Sequence, residues 1–290
     1  MLGILLIDKP LRISSHDVVN DVRRRFGTKR VGHAGTLDPL ASGLLIVAVG
    51  PATRFLQYLP LEPKVYIADI VFGRSTTTYD AEGELSEPKP LPDDLLGVVE
   101  ATLPGFRGLI QQLPPIYSAV KVGGKPLYSY ARTGKDVERV ARTVHISEFE
   151  IHSSTKDSIK ARIVCSGGTY IRSLANDLGE TIGCGAYLSG LVRTEVGRFD
   201  LTQATPLDRI TPSLLMPLKE ALPPMPLIQL DEVQTSLIRE GRPIALTEPP
   251  INNLAGLLEP NGMIFSVARI VGNLLQPECV IPSGVPHGPS

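Results

Sequence analysis

The sequence predicts an α+β fold, a mixed sheet flanked by helices, followed by a small β domain. Three observations carry this. Helix-like and strand-like patterns alternate irregularly, with no fixed-period repeat and no strict βαβ rhythm, which disfavours a doubly wound sheet. Residues 206–226 contain six prolines in 21 positions, which removes backbone donors and suppresses regular structure as a linker or a draped segment would. Beyond them, short apolar runs are separated by Glu248-Pro249-Pro250, Glu259-Pro260-Asn261-Gly262 and Gly272-Asn273, the punctuation of short strands. A chain of 290 residues suits two domains. The boundaries expected are 1–226 for the larger one, with the proline-rich segment at its end, and 227–284 for the smaller, leaving 285–290 as a disordered tail.

Taken in order, Gly3-Ile4-Leu5-Leu6-Ile7 is an apolar run that meets Asp8 and Lys9 at once. It is too short to span a bilayer and lacks a basic leader, so it reads as a buried strand. Ser14-Ser15-His16-Asp17 has the Ser-x-x-Asp form of a helix start. Val18, Val19, Val22 and Phe26 then recur at helical spacing, and Gly27 can end the helix. Leu44 to Val49 is a continuous apolar run, and Val65 to Phe72 is rich in β-branched and aromatic residues, so both read as strands of one sheet. Ile159 to Cys165 reads as another strand. After Gly167-Gly168 comes a helical stretch from about Tyr170 to Leu178 that closes near Gly183.

Composition narrows the function classes. Hydrophobic residues make up 42% and charged residues 20%, the mixture of a soluble globular protein. The three cysteines, Cys165, Cys184 and Cys279, are odd in number and widely spaced, which suggests neither a disulfide framework nor a zinc site and fits a reducing cytosol. His16, His33, His145, His152 and His287 show no metal-ligand spacing either. The net charge of -1 alone argues against a nucleic-acid binder, yet its distribution is uneven. Before residue 200 there are 24 Lys and Arg against 21 Asp and Glu; from there on there are 5 against 9. Positive charge concentrates at Arg23, Arg24, Arg25, Lys29 and Arg30, and again at Lys121, Lys125, Arg132, Lys135, Arg139 and Arg142, where Tyr128 and Tyr130 are interleaved. Basic side chains that pair with phosphates, beside rings that stack on bases, suit single-stranded or looped RNA. Solvated helix faces produce the same kind of charge run.

The residues that stand out for chemistry are Gly32-His33-Ala34-Gly35-Thr36-Leu37-Asp38-Pro39-Leu40-Ala41-Ser42-Gly43. Glycines let a backbone approach a ligand closely, Pro39 stiffens the position after Asp38, and a carboxylate held in such a loop can act as nucleophile or general base. An ordinary Asp-Pro turn accounts for the same spacing.

The segment resembles the catalytic loop of the bacterial tRNA pseudouridine synthases of the TruB type, which modify the uridine at position 55 in the T loop. Further blocks resemble that family in the same order: Leu6-Ile7-Asp8-Lys9-Pro10, Lys64-Val65-Tyr66, Asp80-Ala81-Glu82-Gly83, Gln112-Leu113-Pro114-Pro115-Ile116-Tyr117-Ser118-Ala119, Leu127-Tyr128-Ser129-Tyr130-Ala131-Arg132, Gly168-Thr169-Tyr170-Ile171-Arg172 and Gly183-Cys184-Gly185-Ala186. The likeness is strong over about 1–200 and weak beyond, and ordered blocks are much harder to match by chance than one loop. One departure is Thr77, where relatives often carry an additional Asp.

The resemblance implies the pseudouridine synthase fold, with a mixed, largely antiparallel sheet and a PUA-like C-terminal domain. It implies an isomerase that needs no cofactor or metal and acts on the tRNA T stem-loop; the chain is further expected to be cytoplasmic and monomeric. Asp38 becomes the nucleophile and Arg172 its basic partner, which would keep it ionised. Tyr66 would stack on the target base, or act as a base toward the ribose. Tyr170 and Leu191 would complete the pocket, and Lys9 and Asp80 would contact substrate. His33 would fill the gap left when the uridine is flipped out. Residues from about 121 to 143 would form an insertion that orders only on RNA. Attack on uracil, attack on ribose and elimination through a glycal all remain open. So do two rival readings, a hydrolase using Asp38 and a non-catalytic RNA-binding protein.

Overall fold

The opening apolar run forms β1 (Gly3–Lys9), which pairs antiparallel along its whole length with β3 (Ala41–Val49), from Gly3 opposite Val49 to Lys9 opposite Gly43. Alternate side chains of these two strands enter two different cores. Leu5, Ile7, Leu45 and Val47 join one cluster, and Ile4, Leu6, Leu44 and Ile46 join the other. Burial on both faces explains why these strands read as continuous apolar runs rather than as an alternation. Each such side chain removed from water contributes roughly 1.5–3 kcal/mol, so this strand pair is a main anchor of the sheet. The computed structural model describes residues 1–117, 137–248, 250 and 252–284, with backbone alone at 121–122 and 125–126.

Helix α1 (Ser15–Phe26) covers the first core with Val18, Val19, Val22 and Phe26. Ser14 and Asp17 form the reciprocal capping box that their spacing predicts, and Gly27 closes the helix in the left-handed region at φ 61°. The first basic cluster lies at the end of this helix, where Arg24 and Arg25 both pair with Asp21, the arrangement of a solvated helix face.

The main sheet has ten strands. Its path runs from β12 (Thr205–Pro206) through β1, β3, β10 (Ala186–Val196), β4 (Lys64–Phe72), β9 (Ser158–Cys165) and β8 (Arg142–Ser154) to β5 (Gly108–Gln112). β2 (Val31–Ala34) pairs β3, and β11 (Phe199–Asp200) pairs β10, off this path. Only β1 with β12 and β3 with β10 run parallel; the other pairs are antiparallel, as the resemblance implied. The parallel junction brings Leu191, Val192 and Arg193 against Ala41, Ser42 and Gly43. Gly43 sits there at φ +99°, and a Cβ on it would lie 2.4 Å from the carbonyl oxygen of Arg193. Gly43→Ala is therefore expected to cost at least about 2 kcal/mol, from left-handed strain plus the backbone collision. A fall in the urea midpoint checks this.

Helix α2 (Leu95–Thr102) packs near α3 (Ile171–Ile182), whose start and whose closure at Gly183 match the sequence reading. The proline-rich stretch is draped rather than free. Thr205 and Pro206 run beside Ile7 and Asp8, and Met216 exchanges two backbone hydrogen bonds with Ile4 at 2.9 and 2.8 Å. Between these contacts it makes only short turns, and after Met216 it forms the four-residue α4 (Leu218–Ala221).

A second sheet follows, in the order β13 (Leu227–Gln229), β15 (Leu254–Leu258), β16 (Ile264–Val271), β17 (Leu274–Val280) and β14 (Ile244–Ala245). It carries a helix not anticipated from the sequence, α5 (Glu232–Arg239), although Asp231 and Gln234 form another capping box. The second core cluster continues from Ile4 and Phe55 into Leu257, Phe265 and Val267 of this sheet, and Arg54 donates to the carbonyl of Val280 across the junction. Most of the expected insertion at 121–143 and the whole tail at 285–290 lie outside the described residues; Arg142 and Thr143 belong to β8. The backbone of β6 (Lys121–Val122) pairs antiparallel with that of β7 (Lys125–Pro126). No helix among the described residues is long and apolar enough to cross a membrane.

Candidate active site

Asp38 lies in the loop from β2 to β3, and three separate groups clamp that loop. Ser15, at the start of α1, accepts from the N–H of Leu37 at 2.8 Å and donates to its carbonyl at 3.0 Å. The N–H of Arg12 donates to the carbonyl of Pro39 at 2.8 Å. From beneath, the fully buried Arg193 donates to the carbonyls of Leu44 (2.8 Å), Gly35 (3.2 Å) and Thr36 (3.4 Å). A guanidinium with five donors can cross-link a loop in this way without an acidic partner. The clamped loop is thus preorganised before any ligand arrives.

The first turn of α3 delivers Arg172 to Asp38. Its Nη2 is 2.8 Å from Asp38 Oδ2 and also donates to the carbonyl of Tyr117 at 2.9 Å, while Nη1 reaches Asp80 Oδ2 at 3.3 Å. Asp80 is only 2% exposed and is held further by Thr78 Oγ1 at 2.5 Å and the N–H of Glu82 at 3.1 Å. One buried cation therefore bridges two carboxylates of different exposure. Asp38 retains 41% of its side-chain surface, and Asp80 almost none. Burial pushes the Asp38 carboxyl above its usual range, with Arg172 pulling the other way and Asp80 adding to the rise. Arg172 favours the carboxylate as expected, yet crowding by the protein outweighs it.

Above this pair is a cavity of about 330 Å³ lined by Asp38, Tyr66, Tyr117, Tyr170, Arg172 and Leu191, among others. That is the small end of ligand pockets, a size for one base rather than a helix. Tyr66 enters from β4 and is 6% exposed. Burial raises its phenol above the ordinary value, against the nearby Arg193, so at neutral pH it is a protonated ring suited to stacking and not a ready base. Tyr170 is fixed by an amide clamp. Buried Gln112 on β5 accepts from its N–H at 2.7 Å and donates to its carbonyl at 3.0 Å, and the Arg142 guanidinium lies 5.8 Å from the ring centre. Leu191 comes from β10, opposite Ala68 of β4.

Two expected substrate contacts are enclosed by the protein, and a third, His33, lies outside the cavity wall. Lys9 is 0% exposed and donates through Nζ to the carbonyls of Pro10 (2.9 Å) and Ile13 (2.8 Å). Burial lowers its ammonium to about 8, with Asp38 opposing. With no surface left for RNA, it shapes the turn beside Asp38 instead. Asp80, equally enclosed, acts on Arg172 and does not line the cavity. His33 is half-buried within β2 and not in the cavity wall; burial, and then Arg193, lower its pKa toward the neutral ring, with the Gly35 backbone opposing. Sequence reasoning missed Arg193, Gln112 and Ser15. The available signal for Arg193 was its spacing of two from Leu191 on one strand, which puts both on one face.

Among the described residues, no cluster of His, Cys, Asp or Glu is arranged to hold a metal ion. Asp80 is a second carboxylate near Asp38, joined to it through Arg172. A glycosidase needs that second group free to protonate a leaving group, whereas this one is sealed against Arg172.

A model of the TruB family pseudouridylate synthase N-terminal domain matches residues 23–171, and one of the tRNA pseudouridylate synthase B C-terminal domain matches 172–226. The chain belongs to the TruB family of pseudouridylate synthases. The junction of the two models falls inside the first turn of α3, so both describe parts of the main sheet and its helices. The tRNA pseudouridine synthase B of Thermobifida fusca is 43% identical over 288 residues, spanning 96% of this chain and 98% of that protein. That of Mycobacterium bovis is 38% identical over 292 residues, spanning 98% and 97%. A chain in the structure of an H/ACA RNP bound to a substrate RNA containing 2'-deoxyuridine has the same fold, with a TM-score of 0.69 at 22% identity over 96% of this chain and 84% of that one. A Cbf5-Nop10-Gar1 complex gives 0.67 at 24% identity, over 97% and 85%.

Proposed function

We propose that the chain isomerises the uridine at position 55 in the T loop of tRNA to pseudouridine, with Asp38 as the nucleophile. One observation carries this reading: an aspartate paired at 2.8 Å with a buried arginine, opening onto a one-base cavity walled by Tyr66, Tyr170 and Leu191. The reaction cleaves the bond from uracil nitrogen to the ribose, turns the freed base and joins its C5 to the same sugar carbon, so it needs a nucleophile and a pocket that retains uracil. The uridine must first leave its stack, at a cost of a few kcal/mol. Tyr66 then stacks on it, Tyr170 and Leu191 bound its rotation, and His33 occupies the place it left. Arg172 orients the Asp38 carboxylate, with Asp80 behind it as a positioning residue. We further propose that the protein works as a cytoplasmic monomer.

The test is tritium release from tRNA labelled at C5 of uridine, since joining C5 to the sugar displaces that hydrogen. The wild-type protein should release one tritium per tRNA, and tRNA with cytidine at position 55 should release none. Release that persists with that tRNA would place the target elsewhere.

A further inference from the structure

Lys64 is a cation that the site described so far does not use. It begins β4, two residues before Tyr66 and so on the same face of the strand, about 7 Å along it. The side chain is half-buried, and among the described residues no carboxylate pairs with it. Its ammonium reaches the gap between two loops. A Cβ on Gly35 would be 3.2 Å from Nζ, and one on Gly167 would be 3.9 Å away. Nζ can lie against Gly35 because that position is glycine, and at φ +80° the backbone there itself favours glycine, whereas the place beside Gly167 is taken by the Glu62 carboxylate, with Oε1 2.6 Å from where a Cβ would be. Each loop goes on to line the cavity, through Thr36 and Asp38 on one side and Thr169 and Tyr170 on the other.

Two features leave this charge only partly balanced by the protein's own. The Arg193 guanidinium is a second cation beside it, with Nη1 3.4 Å from the same Gly35 Cβ position, and burial together with Arg193 holds the Lys64 ammonium below its ordinary value. The nearby Glu62 accepts from the N–H of Gly167 at 2.9 Å and makes no ion pair with Lys64, and its favourable charge acts more weakly on the ammonium than burial and Arg193 do in the other direction. Lys64 is also absent from the charges that act on Asp38, which are Arg172, Asp80 and Lys9. A fixed, partly desolvated positive pair at the rim of a nucleotide pocket calls for an anion, and a compact ammonium suits one phosphate oxygen.

We propose that Lys64 is the subsite for a backbone phosphate flanking the flipped nucleotide, with Gly35 leaving room on its side of the ammonium and Arg193 reinforcing its field. This rests on the reading of the ligand as RNA, which tritium release by the wild-type protein tests independently. The experiment measures binding of the T stem-loop RNA against salt concentration for the full chain and for Lys64→Gln and Lys64→Arg, then repeats it with RNAs carrying a single uncharged methylphosphonate at each linkage around position 55. Lys64→Gln should weaken binding on the order of tenfold at low salt. It should also lower the slope of log K against log salt by about 0.7–0.9, the share of one phosphate, and Lys64→Arg should restore much of both. One methylphosphonate should weaken the wild type and leave Lys64→Gln unchanged. An unchanged affinity and slope in Lys64→Gln would overturn the proposal. So would a loss confined to kcat, or a methylphosphonate penalty of equal size in both proteins at every linkage.

Discussion

Asp38→Asn is expected to reduce pseudouridine formation by a factor on the order of 10⁴ or more, the scale seen when an enzyme's nucleophile is removed. The amide keeps the shape of the side chain but not its charge or nucleophilicity. Because Asp38 is 41% exposed and sits on a loop held by Ser15, Arg12 and Arg193, the fold should survive the change. Affinity for tRNA should stay within a few-fold, since phosphate contacts supply most of it. Single-turnover tritium release and filter binding, made on the same protein, separate the two quantities. If release fell only a few-fold, Asp38 would be an orienting group and the nucleophile would lie elsewhere.

Arg172→Gln should show two losses. Removing the cation leaves Asp80, 2% exposed, as a buried carboxylate with, among the described residues, only Thr78 and the Glu82 N–H as partners. Breaking such a buried pair costs about 3–5 kcal/mol, while the half of the bridge that reaches the more exposed Asp38 contributes less. A lowered urea midpoint would record this, and Asp80→Asn in the same background should recover part of it, because the amide can be buried uncharged. The second loss concerns acidity. Asp38 already has its carboxyl raised by burial, and Arg172 is the main influence holding it down. Taking the arginine away raises it further. Activity that requires the carboxylate is present above that pKa and falls as pH drops through it, so the acid limb of the pH profile should move to higher pH in Arg172→Gln. A limb that stayed in place, with stability lost, would make Arg172 a structural residue alone.

The parts of this site that could be read from the sequence are those fixed by local chemistry. Ser14 and Asp17 announce a helix start by their own reciprocal hydrogen bonds, and the apolar runs at Leu44 to Val49 and Val65 to Phe72 become β3 and β4 because burial on one or both faces requires it. The Asp38 loop stands out by its glycines and proline, although the family resemblance and not the spacing raised it above an ordinary turn. What escaped was set by long-range register. The parallel pairing of β3 with β10 joins residues some 150 positions apart, and no local pattern encodes it. Arg193 is therefore an unremarkable strand arginine in the sequence and a buried clamp under the catalytic loop in the fold. Lys9 and Asp80 fall in blocks that resemble the family's, but their burial turns expected substrate contacts into supports for the turn and for Arg172.

The central claim is that a uridine turned out of the T loop enters the cavity over Asp38. A crystal structure of the protein with the T stem-loop RNA tests it most directly. The account predicts the base at position 55 unstacked from the loop, lying against the Tyr66 ring and beside Leu191, with its nucleotide within about 3.5 Å of the Asp38 carboxylate. A base still stacked within the loop, or seated in a different pocket with Asp38 facing solvent, would contradict it.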